Sequence, residues 1–503
     1  MAKKRKAKTA LIRVERSRAK IVNDLPLDIH EVIRKSLGYM QTVSYMEADK
    51  NGVMRRRLKQ VINSKYHYLY RTFPDGMLER CKKVLQNRNY IVKILDKRPQ
   101  LKVVNTAVVK RMGTFPIYLR PYQIDAVALG VYNPHMIFHV CTGGGKTAIF
   151  QAIAHVNDLK TLIIVNRDDL LLQHLSVLSK TMEHDIGVIK GNQVEFDKRI
   201  CIATVQTVMS QLKRNRYKMN NFLKSIGYVV SDECHHAQSR TWGRVIKLCG
   251  NAIYKHGFSG SPWDFASSNM ELEAVCGPIK CKVTTSDLIK LGYLAKPTIT
   301  FHRYRGNEDQ VGGDSLPIMY ENAIVKNRKR NRAILSVVDH EYRVKEAKML
   351  LVVHRIKHGY ILADGLRKMG IHDREIGYLH GQKGRIVRQE GRREFERGDI
   401  RIMIVSQIWN EGIDIPSCDV LVKADSYGGG EVYDSEGVRN LIQQIGRVLR
   451  KPKKRGAQDV NTKKIHRVRI HDFADKQNKY VEKWTRNRYR TCKMEPEFDV
   501  RLK

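Results

Sequence analysis

The feature that most constrains the fold is an alternation of short apolar runs with helical segments through much of this chain of 503 residues. The strand-like runs, each ending in a small or polar cluster, are 136–140, 161–165, 200–203, 228–230, 349–353, 400–405 and 420–422. Helical apolar spacing lies between them, as at 147–155 and 168–182. Buried strands that alternate with helices form parallel sheets with helices on both faces. The series breaks near residue 297 and resumes near 348, so we expect an α/β chain with two parallel-sheet domains in tandem.

Other segments flank these two domains. Residues 66–73 have strand character, 77–87 have helical apolar spacing and 90–95 again resemble a strand, which indicates a small α/β module. The predicted organisation is a basic disordered arm at 1–20, the module at 21–112, domains at 113–296 and 297–475, and a basic extension at 476–503. The module either folds apart from the first domain or packs against it, and the sequence leaves both alternatives open.

Positive charge is concentrated at the two ends of the chain. The whole chain has 92 basic and 51 acidic residues, a net charge of +41. Residues 1–115 hold 28 basic and 9 acidic residues, net +19, and residues 441–503 hold 19 and 7, net +12. Basic ends favour a polyanionic partner. A membrane surface is less favoured, because the basic segments lack a matching Trp/Leu-rich apolar face.

The compartment also follows from composition. The sequence contains no run of about 18 apolar residues, so a membrane span is not predicted. The first residues also lack the apolar core of a secretory signal. The nine cysteines are scattered and form no C-x-x-C pair, which favours a reducing compartment over a disulfide framework. We therefore expect a cytoplasmic protein.

A glycine loop follows the first apolar run. Its residues are Thr142, Gly143, Gly144, Gly145, Lys146 and Thr147, placed between a predicted strand and a predicted helix. Backbone N–H groups of such a loop can surround phosphate oxygens at a helix N-terminus. Lys146 would neutralise the β- and γ-phosphates, and the Thr147 hydroxyl would bind Mg²⁺. Val140 replaces the first glycine of the usual G-x-x-x-x-G-K-[ST] pattern, and a merely flexible turn is the alternative.

A carboxylate pair ends another buried run. Asp232 and Glu233 follow residues 228–231, at the carboxyl end where open α/β sheets bind ligands. Asp232 would hold Mg²⁺ through water, and Glu233 would orient and deprotonate the water that attacks the γ-phosphate. The adjacent Cys234 and His235 could suggest zinc, but no second ligand pair lies at a suitable spacing. The other alternative is an exposed acidic turn.

Near the C-terminus, Gln443, Arg447 and Arg450 recur at spacings of four and three, which places them on one face of a predicted helix. Two guanidinium groups on one face suit a triphosphate whose negative charge grows in the transition state. A solvated basic helix face is the alternative.

The ordered set of motifs resembles superfamily 2 helicases and translocases. In chain order the similar elements are 119–123 (motif Q), 142–147 (I), 165–173 (Ia), 204–207 (Ib), 232–235 (a DExH-type II), 257–262 (III), 352–355 (IV), 379–381 (IVa), Ser406 with 411–414 (V) and 443–450 (VI). The resemblance covers about residues 115–475. It implies two RecA-like domains that use ATP and Mg²⁺, with the terminal modules recognising branched or duplex DNA.

The resemblance also assigns residues to binding. The nucleotide would be contacted by Arg120, Tyr122, Gln123, the 142–147 loop, Gly412 and Asp414, with Gln443, Arg447 and Arg450 acting from the second domain. Nucleic acid would contact Asn166, Arg167, Thr204, Gln206, His354, Arg355 and Ser406, through its backbone. An ordinary loop position is the alternative for each of these residues.

Within the superfamily, the sequence is similar to phage recombination-repair helicases of the UvsW type, in its DECH box, its Ser-Gly-Ser motif III and its small basic N-terminal module. Val140, Cys141, Asn166 and Arg167 depart from the common pattern. The likeness implies 3′→5′ unwinding, branch migration and annealing of single-stranded, forked or four-way DNA, in a host cytoplasm if the gene is a phage's. Recombination or single-strand-binding proteins would be partners. An RNA helicase and a non-motor annealing or binding protein are the alternatives.

Overall fold

The computed structural model describes residues 8–48, 54–98, 113–181, 185–260, 266–306, 308–313, 315–406, 418–426, 435–450 and 467–503. The chain divides into two compact units, residues 1–140 with 145–282 and residues 141–144 with 283–503. Among the described residues, no helix is both long and apolar enough to cross a bilayer.

The first unit begins with the N-terminal module. Its strands are β1 (Lys8–Glu15), β2 (Arg18–Ile21), β3 (Gly38–Ala48), β4 (Met54–Ser64), β5 (Thr72–Pro74) and β6 (Tyr90–Asp96), with helices Leu27–Ser36 and Leu78–Gln86 and a 3₁₀ turn Asp75–Met77. One sheet has the order β5-β2-β1-β6, and β3 and β4 form a separate two-stranded hairpin. The predicted helix at 77–87 and strand at 90–95 are confirmed.

Two predictions for this module are wrong. Residues 8–20 are not a disordered arm, because Ala10, Ile12 and Val14 alternate along β1 and are fully buried in the module core. The basic residues of this segment, such as Lys8 and Arg13, do not prevent a strand, since a strand needs only one apolar face. Most of the strand predicted at 66–73 is instead a reverse turn, in which His67 and Thr72 pair across residues 68–71. Only its last two residues belong to a strand, β5.

The module packs against the rest of the first unit. Met270 and Ala274, from the helix Ala266–Cys276, belong to the module's hydrophobic core. The Lys255 ammonium donates to the Asp75 carboxylate at 2.9 Å, and both side chains are buried. Of the two alternatives for the module, these contacts favour packing over independent folding.

The rest of the first unit is an α/β sheet that is parallel except at one edge, where the last strand pairs antiparallel. Its strands are β7 (His135–Val140), β8 (Thr161–Val165), β9 (Ile186–Lys190), β10 (Gln193–Val194), β11 (Ile200–Thr204), β12 (Tyr228–Asp232), β13 (Tyr254–Ser259) and β14 (Ile279–Val283), in the order β10-β9-β11-β8-β12-β13-β7-β14. The helices are Pro121–Tyr132, Lys146–Asn157, Asp168–Leu178, Val205–Arg214, Arg216–Ser225, Arg240–Leu248 and Ala266–Cys276, with a 3₁₀ turn Cys234–Gln238. The parallel register aligns the carboxyl ends of β8, β11, β12 and β13 at one edge.

The second unit is a seven-stranded parallel sheet. Its strands are β15 (Lys296–His302), β16 (Met349–Val352), β17 (Ile376–Leu379), β18 (Ile402–Val405), β19 (Val420–Lys423), β20 (Arg467–Phe473) and β21 (Asp499–Leu502), in the order β17-β18-β16-β19-β20-β15-β21. The helices are Thr285–Lys290, Leu316–Tyr320, Arg328–Arg343, Ile356–Lys368, Arg385–Arg397, Ser435–Val448 and Lys479–Lys493, with a π-helix Glu321–Val325 and a 3₁₀ turn Asp373–Glu375. The two predicted parallel-sheet domains are confirmed.

The C-terminal segment is part of this second sheet. β21 pairs with β15, and Arg488 of the helix Lys479–Lys493 donates to the buried Asp472 at 2.9 Å. Residues 476–503 are therefore an integral edge of the second domain and not an appended basic extension. The basic composition of the segment concealed this role in the sequence, because it does not show that a cation such as Arg488 is a buried partner.

Candidate functional site

The glycine loop connects β7 to the helix that begins at Lys146. Gly143 and Gly145 have φ values of +85° and +75°, in the left-handed region that favours glycine. A Cβ atom on Gly145 would lie 2.3 Å from Gln123 Nε2, so a side chain at this position would displace the Gln123 amide. The loop therefore presents bare backbone at a helix N-terminus, which is the geometry of an anion-binding cradle.

Lys146 and Glu233 form a direct ion pair. Lys146 Nζ donates to Glu233 Oε1 at 2.8 Å, and about 15% of each side chain is exposed (14% and 15%). Burial opposes the charged form of the Lys146 ammonium, but the Glu233 and Asp232 carboxylates outweigh it and raise its pKa. Burial likewise opposes the charged form of Glu233, but Lys146 and His235 hold the pKa of its carboxyl well below the usual range. Both groups are therefore ionised near neutral pH.

Asp232 is positioned by a histidine on a neighbouring helix. His174 Nε2 lies 2.8 Å from Asp232 Oδ2, and both side chains are buried. The other carboxylate oxygen, Asp232 Oδ1, is buried with no hydrogen-bond partner in the described part of the chain. An oriented carboxylate with one uncommitted oxygen fits a Mg²⁺ ion bound through water. Thr147, in the first turn of the helix that follows the loop, would supply the hydroxyl ligand.

The second oxygen of Glu233 contacts the end of β13. Ser259 Oγ donates to Glu233 Oε2 at 3.2 Å, and His235 Nδ1 lies 3.1 Å from Ser259 Oγ. Glu233 itself has a φ of +48°, a left-handed conformation that a non-glycine residue adopts at some energetic cost. The backbone here is held so that the carboxylate points at Lys146 and the loop.

Among the residues at 119–123 that are predicted to contact the nucleotide, Gln123 lies beside the loop. Gln123 is buried and accepts at Oε1 from the backbone N–H of Arg120 at 2.9 Å. Arg120 Nη1 donates to the Tyr122 hydroxyl at 3.0 Å. Gln123 is thus fixed at the start of its helix with its amide nitrogen against Gly145. The structure brings Gln123, Lys146, Asp232 and Glu233 to one edge of the sheet.

The residues predicted to act from the second domain are only partly on one helix. Gln443 and Arg447 lie within Ser435–Val448 and are mostly buried. Arg450 lies beyond the helix end and forms a bridge with Leu294, so the expectation of a single helical face for all three is wrong. The last turn tightens there, since Arg450 N bonds to the Arg447 carbonyl and not to the residue four positions earlier. Gly412 and Asp414 lie outside the described residues.

The nucleic-acid candidates of the first unit follow strand ends. Asn166 and Arg167 follow β8, and Gln206 follows β11 by two residues. Gln206 Nε2 donates to the Asn166 carbonyl at 3.1 Å, so these two lie side by side. Thr204 is different, because its buried hydroxyl caps the helix Val205–Arg214 by accepting from the Thr207 N–H. Its side chain has a structural task.

The candidates of the second unit also follow strand ends. His354 and Arg355 come after β16, and Ser406 comes directly after β18. Arg355 is exposed, whereas Ser406 is buried and His354 is half-buried against Tyr320. Burial lowers the pKa of His354, so its imidazole is neutral near pH 7. Arg355 is therefore the exposed cation of this set.

Sequence reasoning missed two parts of the site. His174 is a single histidine on an otherwise apolar helix face, and no sequence signal connects it with Asp232. The Ser259–His235 contact joins two segments that the motif comparison identified separately, so their link to Glu233 could have been anticipated from those motifs. No cluster of three or more His, Cys, Asp or Glu side chains that could hold a metal ion occurs among the described residues.

Comparisons with known proteins agree with this geometry. Residues 116–263 match the family described as "Type III restriction enzyme, res subunit", and residues 330–452 match the "Helicase conserved C-terminal domain". The two matches cover the two parallel-sheet domains. The chain therefore belongs to the superfamily 2 helicases, a class that uses ATP and acts on nucleic acid.

Particular relatives refine the comparison. The chain is 25% identical over 348 residues to the ATP-dependent DNA helicase UvsW of Enterobacteria phage T4, a match that covers 66% of this chain and 65% of that protein. It is 21% identical over 373 residues to the DNA 3′-5′ translocase XPB2 of Sulfurisphaera tokodaii, over 67% of this chain and 80% of that one. The structure of S. cerevisiae Dbp5 bound to RNA and ADP BeF3 has a TM-score of 0.54 at 15% identity, over 80% of this chain and 94% of that chain. The match thus spans just under two thirds of the T4 protein, and the structural likeness supports two tandem RecA-like domains.

Proposed function

We propose that this protein is an ATP-dependent DNA helicase or translocase that acts on branched DNA in recombination, repair or replication. The observation that carries the proposal is the arrangement of Lys146, Asp232 and Glu233 beside a side-chain-free loop. A phosphate cradle, a carboxylate with an uncommitted oxygen and a second, ionised carboxylate are the groups that nucleoside triphosphate hydrolysis needs.

In the proposed reaction, the loop N–H groups and Lys146 bind the phosphates. A bound phosphate would compete with Glu233 for the Lys146 ammonium, and this would free the carboxylate to accept a proton from the attacking water. Mg²⁺ held by Thr147 and Asp232 would supply charge neutralisation at the phosphates. Arg447 and Arg450 of the second unit would stabilise charge that develops on the phosphates.

DNA is proposed to run along the strand ends that carry Asn166, Arg167, Gln206 and Arg355. These residues contact a backbone and not base edges, which suits a motor that moves along any sequence. We propose that the protein moves in the 3′→5′ direction. Two relatives whose names specify DNA, one of them a 3′-5′ translocase, support DNA as the substrate and this polarity. The net charge of +41 supports a polyanionic partner.

The test is ATP hydrolysis by the full-length protein on single-stranded, duplex, forked and four-way DNA, with matched RNA of the same shapes. We expect the largest stimulation with forked or four-way DNA and little with RNA. Strand displacement on substrates with one 3′ or one 5′ tail then reads the polarity. Equal or greater stimulation by RNA would support the second candidate below.

An ATP-dependent RNA helicase is the second candidate. The observation in its favour is the structural likeness to Dbp5 bound to RNA, although that likeness extends to the fold alone. A non-motor annealing protein is disfavoured, because the Lys146–Glu233 pair and the uncommitted Asp232 oxygen would have no task in it.

A further inference from the structure

A cleft of about 720 Å³ lies within the first unit, between the N-terminal module and the helix Arg240–Leu248. Its walls differ in chemistry. Tyr39, Gln41 and Asn63 of the β3–β4 hairpin line one side, and Arg240, Arg244 and Lys247 line the other. None of these six residues belongs to the motifs of the nucleotide site or to the strand-end residues described above.

The helix wall is a row of exposed cations. Arg240, Arg244 and Lys247 recur at spacings of four and three, which places them on one helical face, while Trp242 and Val245 bury the opposite face. No acidic side chain within the described residues forms an ion pair with any of the three cations. A row of cations without internal partners is held ready for an external anion.

The hairpin wall is polar and carries no charge of its own at this point. Tyr39 and Asn63 are opposite one another in the β3–β4 register, and Asn63 Nδ2 donates to the Tyr39 hydroxyl at 3.0 Å and to Gln41 Oε1 at 2.9 Å. The one carboxylate that lines the cleft, Glu271, is ion-paired with Lys65 at the base of the hairpin. The cleft as a whole is therefore electropositive.

The two walls are held together by specific bonds. The Lys65–Glu271 pair joins the hairpin to the helix Ala266–Cys276. Lys255 donates to both Asp75 and Ser17 Oγ, and Ser17 Oγ donates in turn to the Lys247 carbonyl at the end of the cationic helix. The cleft is thus a fixed feature of the first unit.

From these observations we infer that the cleft binds the sugar-phosphate backbone of a duplex DNA arm, as a second DNA site beside the strand-end surface. Seven residues of α-helix rise about 10 Å, over which one strand of B-DNA carries about three phosphates. With the protein helix parallel to the duplex axis, the three cations therefore match about three phosphates of one strand in number and in axial span. The inference rests on the proposed function in so far as DNA is the polyanion.

One detail favours a duplex arm over a single strand, and another places the cleft beside the strand-end surface. Binding of single strands relies on aromatic side chains on which bases can stack, whereas the one aromatic ring here, Tyr39, has its hydroxyl bonded to Asn63 and lies under the Lys65 ammonium. Arg240 also follows the 3₁₀ turn that contains His236, which contacts Asn166 at 2.8 Å. The cleft therefore begins next to the surface on which the motor would hold its track.

The test compares two full-length triple variants of equal charge. In the first, Arg240→Gln, Arg244→Gln and Lys247→Gln remove the cleft cations. The control, Lys213→Gln, Arg216→Gln and Lys218→Gln, removes three exposed cations from another part of the same unit. Affinity for forked DNA with duplex arms is measured against salt concentration, alongside ATPase activity stimulated by a short single strand.

We expect the cleft variant to lose at least about tenfold in affinity for forked DNA, with a logarithmic salt slope smaller by up to about 2.7, since each duplex phosphate contact contributes about 0.9. Its single-strand-stimulated ATPase should be unchanged, and the control variant should match the wild type in both measurements. Equal fork affinity and salt slope in the two variants would overturn the inference. The wild type could lack DNA-stimulated ATPase activity while the cleft variant still loses affinity for forked DNA. That result would contradict the proposed motor function and support the DNA site in the cleft.

A position-specific measurement guards against indirect effects. All nine native cysteines are buried, so a Gln41→Cys variant can be labelled selectively with a photo-crosslinker. Crosslinks should form with a duplex arm of forked DNA and disappear when the cleft cations are also replaced. Crosslinks confined to single-stranded tails would contradict a duplex site.

Discussion

Lys146 Nζ and Glu233 Oε1 are joined by a 2.8 Å ion pair. The residue proposed to hold phosphate and the residue proposed to activate water thus neutralise each other. Binding of a triphosphate would exchange one anion for another at Lys146 and set Glu233 free. The Lys146 ammonium keeps the Glu233 carboxyl ionised, because it holds the pKa of that group well below the usual range.

Lys146→Ala should abolish nucleotide turnover and leave DNA affinity nearly intact. The ammonium stabilises phosphate charge, and losing one contact of this kind costs on the order of 10²–10³ in rate. Steady-state ATPase assays and fluorescence-anisotropy binding to forked DNA measure the two effects. Retention of half the normal ATPase activity would show that the loop does not hold the phosphates.

Glu233→Gln should bind ATP and hydrolyse it very slowly. The amide keeps the shape of the side chain and can still accept from Ser259, but it cannot take a proton from water. Equilibrium binding of a fluorescent ATP analogue and single-turnover hydrolysis separate the two steps. Loss of nucleotide binding in this variant would indicate a structural role for Glu233, since only the proton acceptor has been removed.

His174→Ala should weaken Mg²⁺ binding, so that a higher metal concentration is needed to fill the site. Without the 2.8 Å bond to Oδ2, the Asp232 carboxylate is free to rotate, and loss of such a supporting contact typically costs 10–100-fold in metal affinity. Titration of Mn²⁺ binding by electron paramagnetic resonance, with ATP present, reports affinity independently of turnover. His174→Gln, whose amide nitrogen can replace Nε2, should restore most of it. Wild-type metal affinity in the alanine variant would remove His174 from the site.

Arg488→Ala should destabilise the second unit by about 3–5 kcal/mol, because it leaves Asp472 buried without its cation. Arg486 on the same helix provides the control, since 62% of its side chain is exposed and its pair with Glu482 lies on the surface. Arg486→Ala should change the unfolding free energy by less than about 1 kcal/mol. Urea denaturation of both variants measures the difference. Similar effects would mean that the C-terminal segment is an appendage after all.

The sequence predicted the sheets well because buried parallel strands are continuous apolar runs. The seven runs correspond to β7, β8, β11, β12, β16, β18 and β19. Prediction from the sequence failed in basic segments whose residues are buried in the structure. β1 lies in the basic N-terminal segment but buries Ala10, Ile12 and Val14, and Arg488 is a cation that is buried as the partner of Asp472. These roles depend on contacts between segments far apart in the chain, and composition does not record such contacts.

The same limit applies to the site. Lys146, Asp232 and Glu233 lie within local motifs, so spacing alone identified them. Their arrangement depends on His174 and Ser259, which other elements bring to the sheet edge. Thr204 was predicted to contact nucleic acid, but the structure shows its hydroxyl capping the helix that follows it. The sequence does not distinguish these two uses of a threonine.

The first unit should become less stable as the pH is lowered from 7 to 5, a range above the usual pKa values of carboxyl groups. His256 is fully buried, with Nε2 2.8 Å from the Asn133 carbonyl, and burial lowers its pKa to about 4. In the unfolded chain its pKa is about 6.5, so below that pH the unfolded state binds a proton that the folded state does not. The contribution of His256 is therefore complete above pH 6.5 and decreases as the pH falls towards 4. Between pH 7 and pH 5 the expected loss is about 2 kcal/mol.

Urea unfolding at pH 7, 6 and 5 measures this dependence, and His256→Gln isolates the residue. The variant is neutral in both states and retains an amide that can donate to Asn133, so its unfolding free energy should vary less steeply, by up to about 1.4 kcal/mol per pH unit between 6 and 5. Unfolded carboxyl groups titrate near pH 4, below this window, and should affect both proteins alike. Equal pH slopes for the wild type and the variant would show that His256 is protonated in the folded protein, in conflict with its burial between Phe138 and Tyr228.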